Sequence, residues 1–257
     1  GCGCREDEET RRGTLMNTAF IQAKGTNVRL PDKHLEFIGP KRLIEHVIDN
    51  ARDSETIDNV YLFTDDARLM EIARESRIGV IEEPEELTRV KSEGPLIEYR
   101  MDAWRSIHGE PSREDVFVEQ YGNVILFDEG LIDRAVQIFS GMSSGHVESM
   151  YKIEGMPYPY DWRRLRIDGS VEFPNTKSDD VRVRTEDSQK DFQGFYGDGG
   201  VRVHGWPFQV HPIYPVITTR CDALEIDTLT DLNLSRAVYE AKSSGSWQNL
   251  REYQGVL

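Results

Sequence analysis

The 257-residue chain carries 46 acidic against 31 basic side chains, a formal charge of −15 and a pI of about 4.9. That balance excludes general binding to nucleic acid, which needs a basic surface to displace counterions. Three cysteines cannot frame a disulfide scaffold, no apolar run reaches the roughly 18–20 residues of a membrane span, and no apolar signal core opens the chain, so a cytoplasmic globular protein is the expectation. The acidic surface leaves two readings open, adaptation to high salt or an ordinary solvated face in an arginine-biased genome.

In chain order, residues 1–15 open with GCGCREDEETRRGT, a polar stretch without apolar periodicity. It reads as a disordered leader or a cloning remnant, with Met16 a natural start. Cys2 and Cys4 have no partner Cys or His nearby to complete a metal site. The rest, 16–257, reads as a single domain. TAFIQ (18–22) is a strand stopped at Gly25. Leu43, Ile44, Val47, Ile48 and Ala51 keep the spacing of an amphipathic helix. Val60–Phe63 is a second strand, and Thr64-Asp-Asp caps a helix with Leu69, Ile72 and Ala73 inward. Gly79–Ile81 is a third strand.

Ser92-Glu-Gly-Pro95 opens a helix carrying Met101, Trp104 and Ile107, with Pro95 in its first turn. Asp115–Glu119 is a strand, and a helix with Leu131, Ile132, Ala135, Val136 and Phe139 inward follows Gly130. This rhythm predicts a mainly parallel sheet covered on both faces. Between about 145 and 220 it breaks into segments rich in Tyr, Pro, Gly, Arg and Asp. These are expected to form short strands and long loops, an inserted segment covering the active face or making a dimer contact. The pattern recovers at Ala223–Asp227, a strand, and Thr228 caps a closing helix with Leu232, Ala237 and Val238.

AFIQAKGTNVRLPDK (19–33) sets Lys24, Arg29 and Lys33 in a loop after a strand, against the acidic trend of the chain. In a parallel α/β sheet that loop lies at the carboxyl edge, where amides and cations can hold phosphates. Its glycine spacing fits neither the Walker A loop nor GxGxxG. Glu225 and Asp227 sit at i and i+2, so a strand would put both carboxylates on one face, a fit for a hard divalent ion.

AFIQAKGTNVRLPDKHLEFIGPKRLIEHVIDNA resembles the first segment of the acylneuraminate cytidylyltransferase family. Ala23, Gly25, Pro31 and Lys33 match its loop, and Lys24 stands at the loop arginine, whereas Gln22, Thr26 and Val28 depart, the last replacing a lysine. VYLFTDDARLMEIARESRIGVI, VFVEQYGNVILFDEGLIDRAVQIF, GFYGDGGVRVHG and ALEIDTLTDLNLSRA resemble later segments in the same order. In the third, Gln120 survives while Tyr121-Gly-Asn-Val replaces Pro-Thr-Ser-Pro.

The resemblance implies a three-layer, Rossmann-like fold of the nucleotide-diphospho-sugar transferase type. It also implies transfer of CMP from CTP to the anomeric hydroxyl of a nonulosonic or 3-deoxy sugar acid, with release of pyrophosphate. Lys24, Arg29 and Lys33 would act on the phosphates, with Ala23, Gly25 and Gln120 against the nucleotide. Glu225 and Asp227 would hold Mg²⁺, with Glu225 standing where the family has an aspartate. Tyr151, Lys152, Arg163, Arg164, Gln189 and Tyr196 are the candidates for the sugar acid, and a homodimer is expected. Two alternatives stay open: a sugar-1-phosphate nucleotidyltransferase, and a degenerate nucleotide-binding relative. His146, His204 and His211 lack metal-ligand spacing and read as structural.

Overall fold

In the computed structural model the described residues are 15–88, 94–152, 164–165, 171–172, 195–209 and 211–246. Seven strands form the main sheet: β1 (Asn17–Gln22), β4 (Asn59–Thr64), β5 (Gly79–Glu82), β6 (Val116–Tyr121), β8 (His146–Lys152), β11 (Phe195–Gly205) and β12 (Ile213–Thr218). Their order is β12-β8-β11-β6-β1-β4-β5. β1 pairs parallel with β4 and β6, β4 with β5, and β12 with β8. β11 is antiparallel to both β6 and β8. Short ribbons complete the strands: β2 (Phe37–Ile38) with β3 (Lys41–Arg42), β7 (Val124–Leu126) with β13 (Ala223–Glu225), and β9 (Arg164–Leu165) with β10 (Val171–Glu172).

Alternation along β1 divides the core. Ala19 and Ile21 face α1 (Leu43–Arg52), α2 (Ala67–Glu75) and α5 (Leu131–Ser140), while Phe20 faces α4 (Gly94–His108) on the other side. The first cluster also takes Leu232 and Val238 of the closing helix α6 (Leu229–Ser243). In the second, Phe20 lies between Phe63 and Phe117, at ring separations of 5.0 and 5.5 Å. Trp104 is buried there and donates its indole N–H to the Thr18 hydroxyl at 3.2 Å. A four-residue helix, α3 (Glu85–Thr88), precedes α4.

The first-half expectations hold closely, with one correction. Ile107 is 55% exposed rather than inward. At ~100° per residue, the position that returns to the face of Met101 is seven residues on, not six. That residue is His108, whose ring lies 4.9 Å from Trp104 and bonds the Tyr61 hydroxyl at 2.7 Å. Residues 145–220 supply β8, β11 and β12, so three strands of the main sheet come from the stretch expected to be an insertion. The expected strand at Ala223–Asp227 stops at Glu225 and pairs with β7 outside the main sheet. No helix among the described residues is long and apolar enough to cross a membrane.

Candidate active site

β1 sits between β4, which follows it, and β6, to which the chain returns after β5. This is the point where strand order reverses, and the carboxyl ends of the strands there border a crevice. The chain leaves β1 tightly held: Ala23 N–H donates to the Phe63 carbonyl at 3.0 Å, and Gly122 N–H donates to the Gln22 carbonyl at 2.7 Å. Ala23 is buried, and a Cβ on Gly122 would fall 2.7 Å from the Ala23 methyl and 2.9 Å from the Gln22 carbonyl oxygen. Only glycine fits at 122.

The loop is then tied down along its length. Gly25 N–H donates to Asp65 Oδ1 at 2.6 Å, and a Cβ at 25 would stand 2.8 Å from the Asp66 Cβ. Asp66 caps α2, as its sequence position implies, by accepting from Arg68 N–H at 2.8 Å. Asp65 does something the sequence did not indicate, since it fixes the phosphate-loop candidate rather than the helix. Asn27 bridges back to the Lys24 carbonyl at 2.9 Å, and Arg68 reaches Asp32, a left-handed residue, at 2.7 Å. Val28, which stands where the resembled family has a lysine, is 91% exposed.

The loop ends in a 3-10 turn, Lys33–Leu35, that buries Lys33 and His34. His34 Nδ1 lies 3.0 Å from the Gly122 carbonyl, and burial lowers its pKa from 6.5 to about 4, so the ring is neutral and donates through Nδ1–H. Neither His34 nor this role was anticipated. Lys33 Nζ contacts Asp227 Oδ1 at 2.8 Å, and Arg29 Nη2 contacts Asp227 Oδ2 at 2.5 Å. Burial alone would raise the Asp227 carboxyl, but the Lys33 hydrogen bond and the charges of Lys33 and Arg29 hold it below the usual range.

The β7–β13 ribbon delivers Asp227. Ile226 N–H donates to the Asn123 carbonyl at 2.8 Å, and Asn123 Nδ2 reaches Asp227 Oδ1 at 3.2 Å. Glu225 lies beside them: burial and the charge of Asp227 raise its pKa, and a hydrogen bond with Asn123 partly offsets this. Glu225 and Asp227 thus share Asn123 as a neighbour, with Asp227 lying past the strand end. Asn123 was also missed. It falls in Tyr121–Val124, where the sequence leaves the resembled pattern, and no local signal pairs it with a carboxylate 104 residues on.

Gln120 is 1% exposed, and both its amide atoms lack a hydrogen-bond partner among the described residues. An orphaned buried amide beside a loop of this kind is suited to a ligand's donors and acceptors. Of the acceptor candidates, Tyr151 and Tyr196 stand 5.4 Å apart and line a cleft of about 170 Å³ together with Glu225. The backbone of Lys152 pairs with Phe195, and Arg164 lies in β9, whereas their side chains, like Arg163 and Gln189, fall outside the described residues.

Among the described residues no group of three or more His, Cys, Asp or Glu could hold a metal. Mg²⁺ that keeps its waters binds one or two carboxylates plus substrate phosphates. Glu225 and Asp227 are the carboxylates that would hold it, and both Asp227 oxygens already face cations, Lys33 and Arg29.

Residues 18–139, from β1 to the last turn of α5, match the family described as Cytidylyltransferase. A 3-deoxy-manno-octulosonate cytidylyltransferase of Thermodesulfovibrio yellowstonii is 36% identical over 56 residues, 22% of each chain. A second such enzyme, from Hydrogenovibrio crunogenus, is 27% identical over 129 residues, 49% of this chain and 47% of the relative. The chain therefore spans less than half the length of either curated relative. In three dimensions it is similar to a CMP:2-keto-3-deoxy-manno-octonic acid synthetase solved with CTP, with TM-score 0.62, 13% identity, and coverage of 88% of this chain and 99% of that one. It is also similar to a 4-diphosphocytidyl-2C-methyl-D-erythritol synthase from Anaerococcus prevotii, with TM-score 0.57, 13% identity, and the same 88% and 99% coverage. The chain thus shares the fold of these solved structures, that of the nucleotide-diphospho-sugar transferases, and its residues 18–139 match the cytidylyltransferase family model.

Proposed function

We propose that the protein is a cytidylyltransferase that moves CMP from CTP to the anomeric hydroxyl of a 3-deoxy sugar acid, releasing pyrophosphate. The acceptor we favour is 3-deoxy-manno-octulosonate, the substrate named in both curated relatives. A nonulosonic acid, implied by the resemblance of the opening loop, is the second acceptor to test.

One observation carries the reading. Lys33 and Arg29, from the loop after β1, meet Asp227, from the far end of the chain, at the strand-order reversal of the sheet. A triphosphate there would find two cations already held in place. In the reaction the acceptor hydroxyl oxygen bonds to the α-phosphorus while the bond to the pyrophosphate oxygen breaks. The chain's work is positioning and charge neutralisation. Lys24, Arg29 and Lys33 would oppose the growing charge on the phosphates. The packed turn of Ala23, Gly25 and Gly122 would let the ligand approach the backbone closely, and Gln120 would take the nucleotide or acceptor through its unmatched amide. Glu225 and Asp227 would hold Mg²⁺, which supplies further neutralisation of the triphosphate and its leaving group. We also propose a homodimer, supported by exposed Ile213, Tyr214 and Ile217 on the edge strand β12.

The test is pyrophosphate release with each nucleoside triphosphate, Mg²⁺ and a panel of acceptors. Release with CTP and a 3-deoxy or nonulosonic acid is expected. Release only with a sugar 1-phosphate, or CTP binding without turnover, would overturn the proposal.

A further inference from the structure

β11 does not run straight. Its pairing with β8 shifts register between Gly197 and Arg202, and Gly199 takes φ +70°. A Cβ on Gly199 would meet the Tyr121 ring at 2.8 Å, and one on Gly200 would meet Leu126 at 2.9 Å. The sequence Gly197-Asp-Gly-Gly thus encodes a bulge, a device that re-aims a side chain out of its ladder. The side chain affected is Asp198.

Asp198 is 4% exposed and lines the 170 Å³ cleft that also holds Tyr151, Tyr196, Arg220 and Glu225. Its Oδ1 is fully used: it accepts from the Ser149 hydroxyl and from Gly200 N–H at 2.8 Å, and Ser149 is itself fixed by Val201 N–H at 2.8 Å. Its Oδ2 is buried and has no hydrogen-bond partner among the described residues. Burial raises the carboxyl above its ordinary range, and the nearby charge of Glu148 adds to this. A carboxylate oxygen withdrawn from water without a donor is costly, and the fold has built a bulge to place it there. A ligand donor in the cleft would remove that cost.

We propose that Asp198 is the specificity-determining residue of the acceptor subsite, accepting through Oδ2 a hydrogen bond from one hydroxyl of a polyhydroxylated acceptor. This rests on the cytidylyltransferase reading for the name of the acceptor, but not for the chemistry of the cleft. The neighbours suit the assignment. Tyr151 and Tyr196 offer apolar ring surface with a polar tip, as polyol sites require, and Glu225 joins the cleft to the Asp227 cluster. A hydroxylated body seated here would lie beside the proposed phosphate site.

The probes are 3-deoxy-manno-octulosonate and its analogues with one hydroxyl at a time replaced by hydrogen, titrated calorimetrically with CTP and EDTA present to stall turnover. We expect one analogue to bind the wild-type chain at least tenfold more weakly than the parent acid. Asp198→Asn, which keeps the Oδ1 contacts and converts Oδ2 into a donor, should bind parent and that analogue alike, with CTP affinity unchanged. Equal wild-type affinity for every analogue, discrimination surviving in Asp198→Asn, or no binding of any hydroxylated probe would overturn the assignment. The analogue series on wild-type protein stands even where the variant fails to fold. Discrimination without pyrophosphate release would remove the enzymatic reading and leave this subsite, and turnover without discrimination would do the reverse.

Discussion

The proposed phosphate site and the proposed acceptor cleft are built by different means. At the phosphate end, residues 23–34 and 120–124 are placed by backbone: amides donate to Phe63, Gln22 and Asp65, and two glycines stand where a Cβ would strike a neighbour. At the acceptor end, the lining comes from side chains on β8, β11, β13 and the closing helix, and the bulged Asp198 stands among the polar groups Arg220, Glu225 and Asp231. The family match stops at residue 139, before any of these acceptor residues. Backbone geometry for holding phosphate tolerates little change, whereas a side-chain lining can be rewritten for each acceptor. A common fold can then carry several acceptors.

This division can be broken, beginning with the largest effect. Lys33→Ala and Asp227→Asn should each lower kcat/KM by at least about a hundredfold, the scale of losing a positioned charge contact in a transition state, without changing acceptor affinity. Steady-state kinetics with each substrate varied would show it, and a loss confined to acceptor KM would erase the proposed boundary.

Next comes acid sensitivity at the phosphate end. His34 has a folded pKa of about 4 against 6.5 unfolded, so between those values the unfolded chain binds the extra proton and stability falls as pH falls. The loss across that window is on the order of 2–3 kcal/mol. His34→Asn, which can still donate to Gly122, should flatten that part of the profile. His46 and His146 are also lowered by burial, and their contribution is common to both proteins, so the difference between the two denaturation curves isolates His34. Identical curves would mean the ring is not buried as described.

Smallest is Gly122→Ala, which should cost about 1–2 kcal/mol by overpacking against Ala23 and the Gln22 carbonyl. It should also raise the KM for CTP more than that for the acceptor. A thermal melt and a pair of saturation curves suffice, and an unchanged melt would mean that the turn has room to spare.

Much of the first half was legible because periodicity reports burial directly. The Leu43-to-Ala51 spacing is α1, and the run at Val60 is β4, since each element hides one face or two. The cationic loop was legible as a local excess of charge and Asp227 as a candidate metal ligand, but not the direct contact between Asp227 and Lys33, 194 residues apart. The strands β8 and β12 were obscured because charge and proline interrupt their alternation, whereas β11 was reached through the resemblance of GFYGDGGVRVHG to a family strand, without its bulge. Asp65, His34 and Asn123 left no signal, since each acts on a backbone or carboxylate group brought near only by the fold. Asp198 was hidden for the same reason.

The proposed triphosphate site depends most on Lys33 and Asp227. Calorimetric titration of CTP with Mg²⁺ into wild-type protein and Lys33→Ala tests that contact directly. The wild-type chain should bind and the variant should bind at least tenfold more weakly, with a smaller salt dependence. Equal affinity in the two proteins would contradict the account.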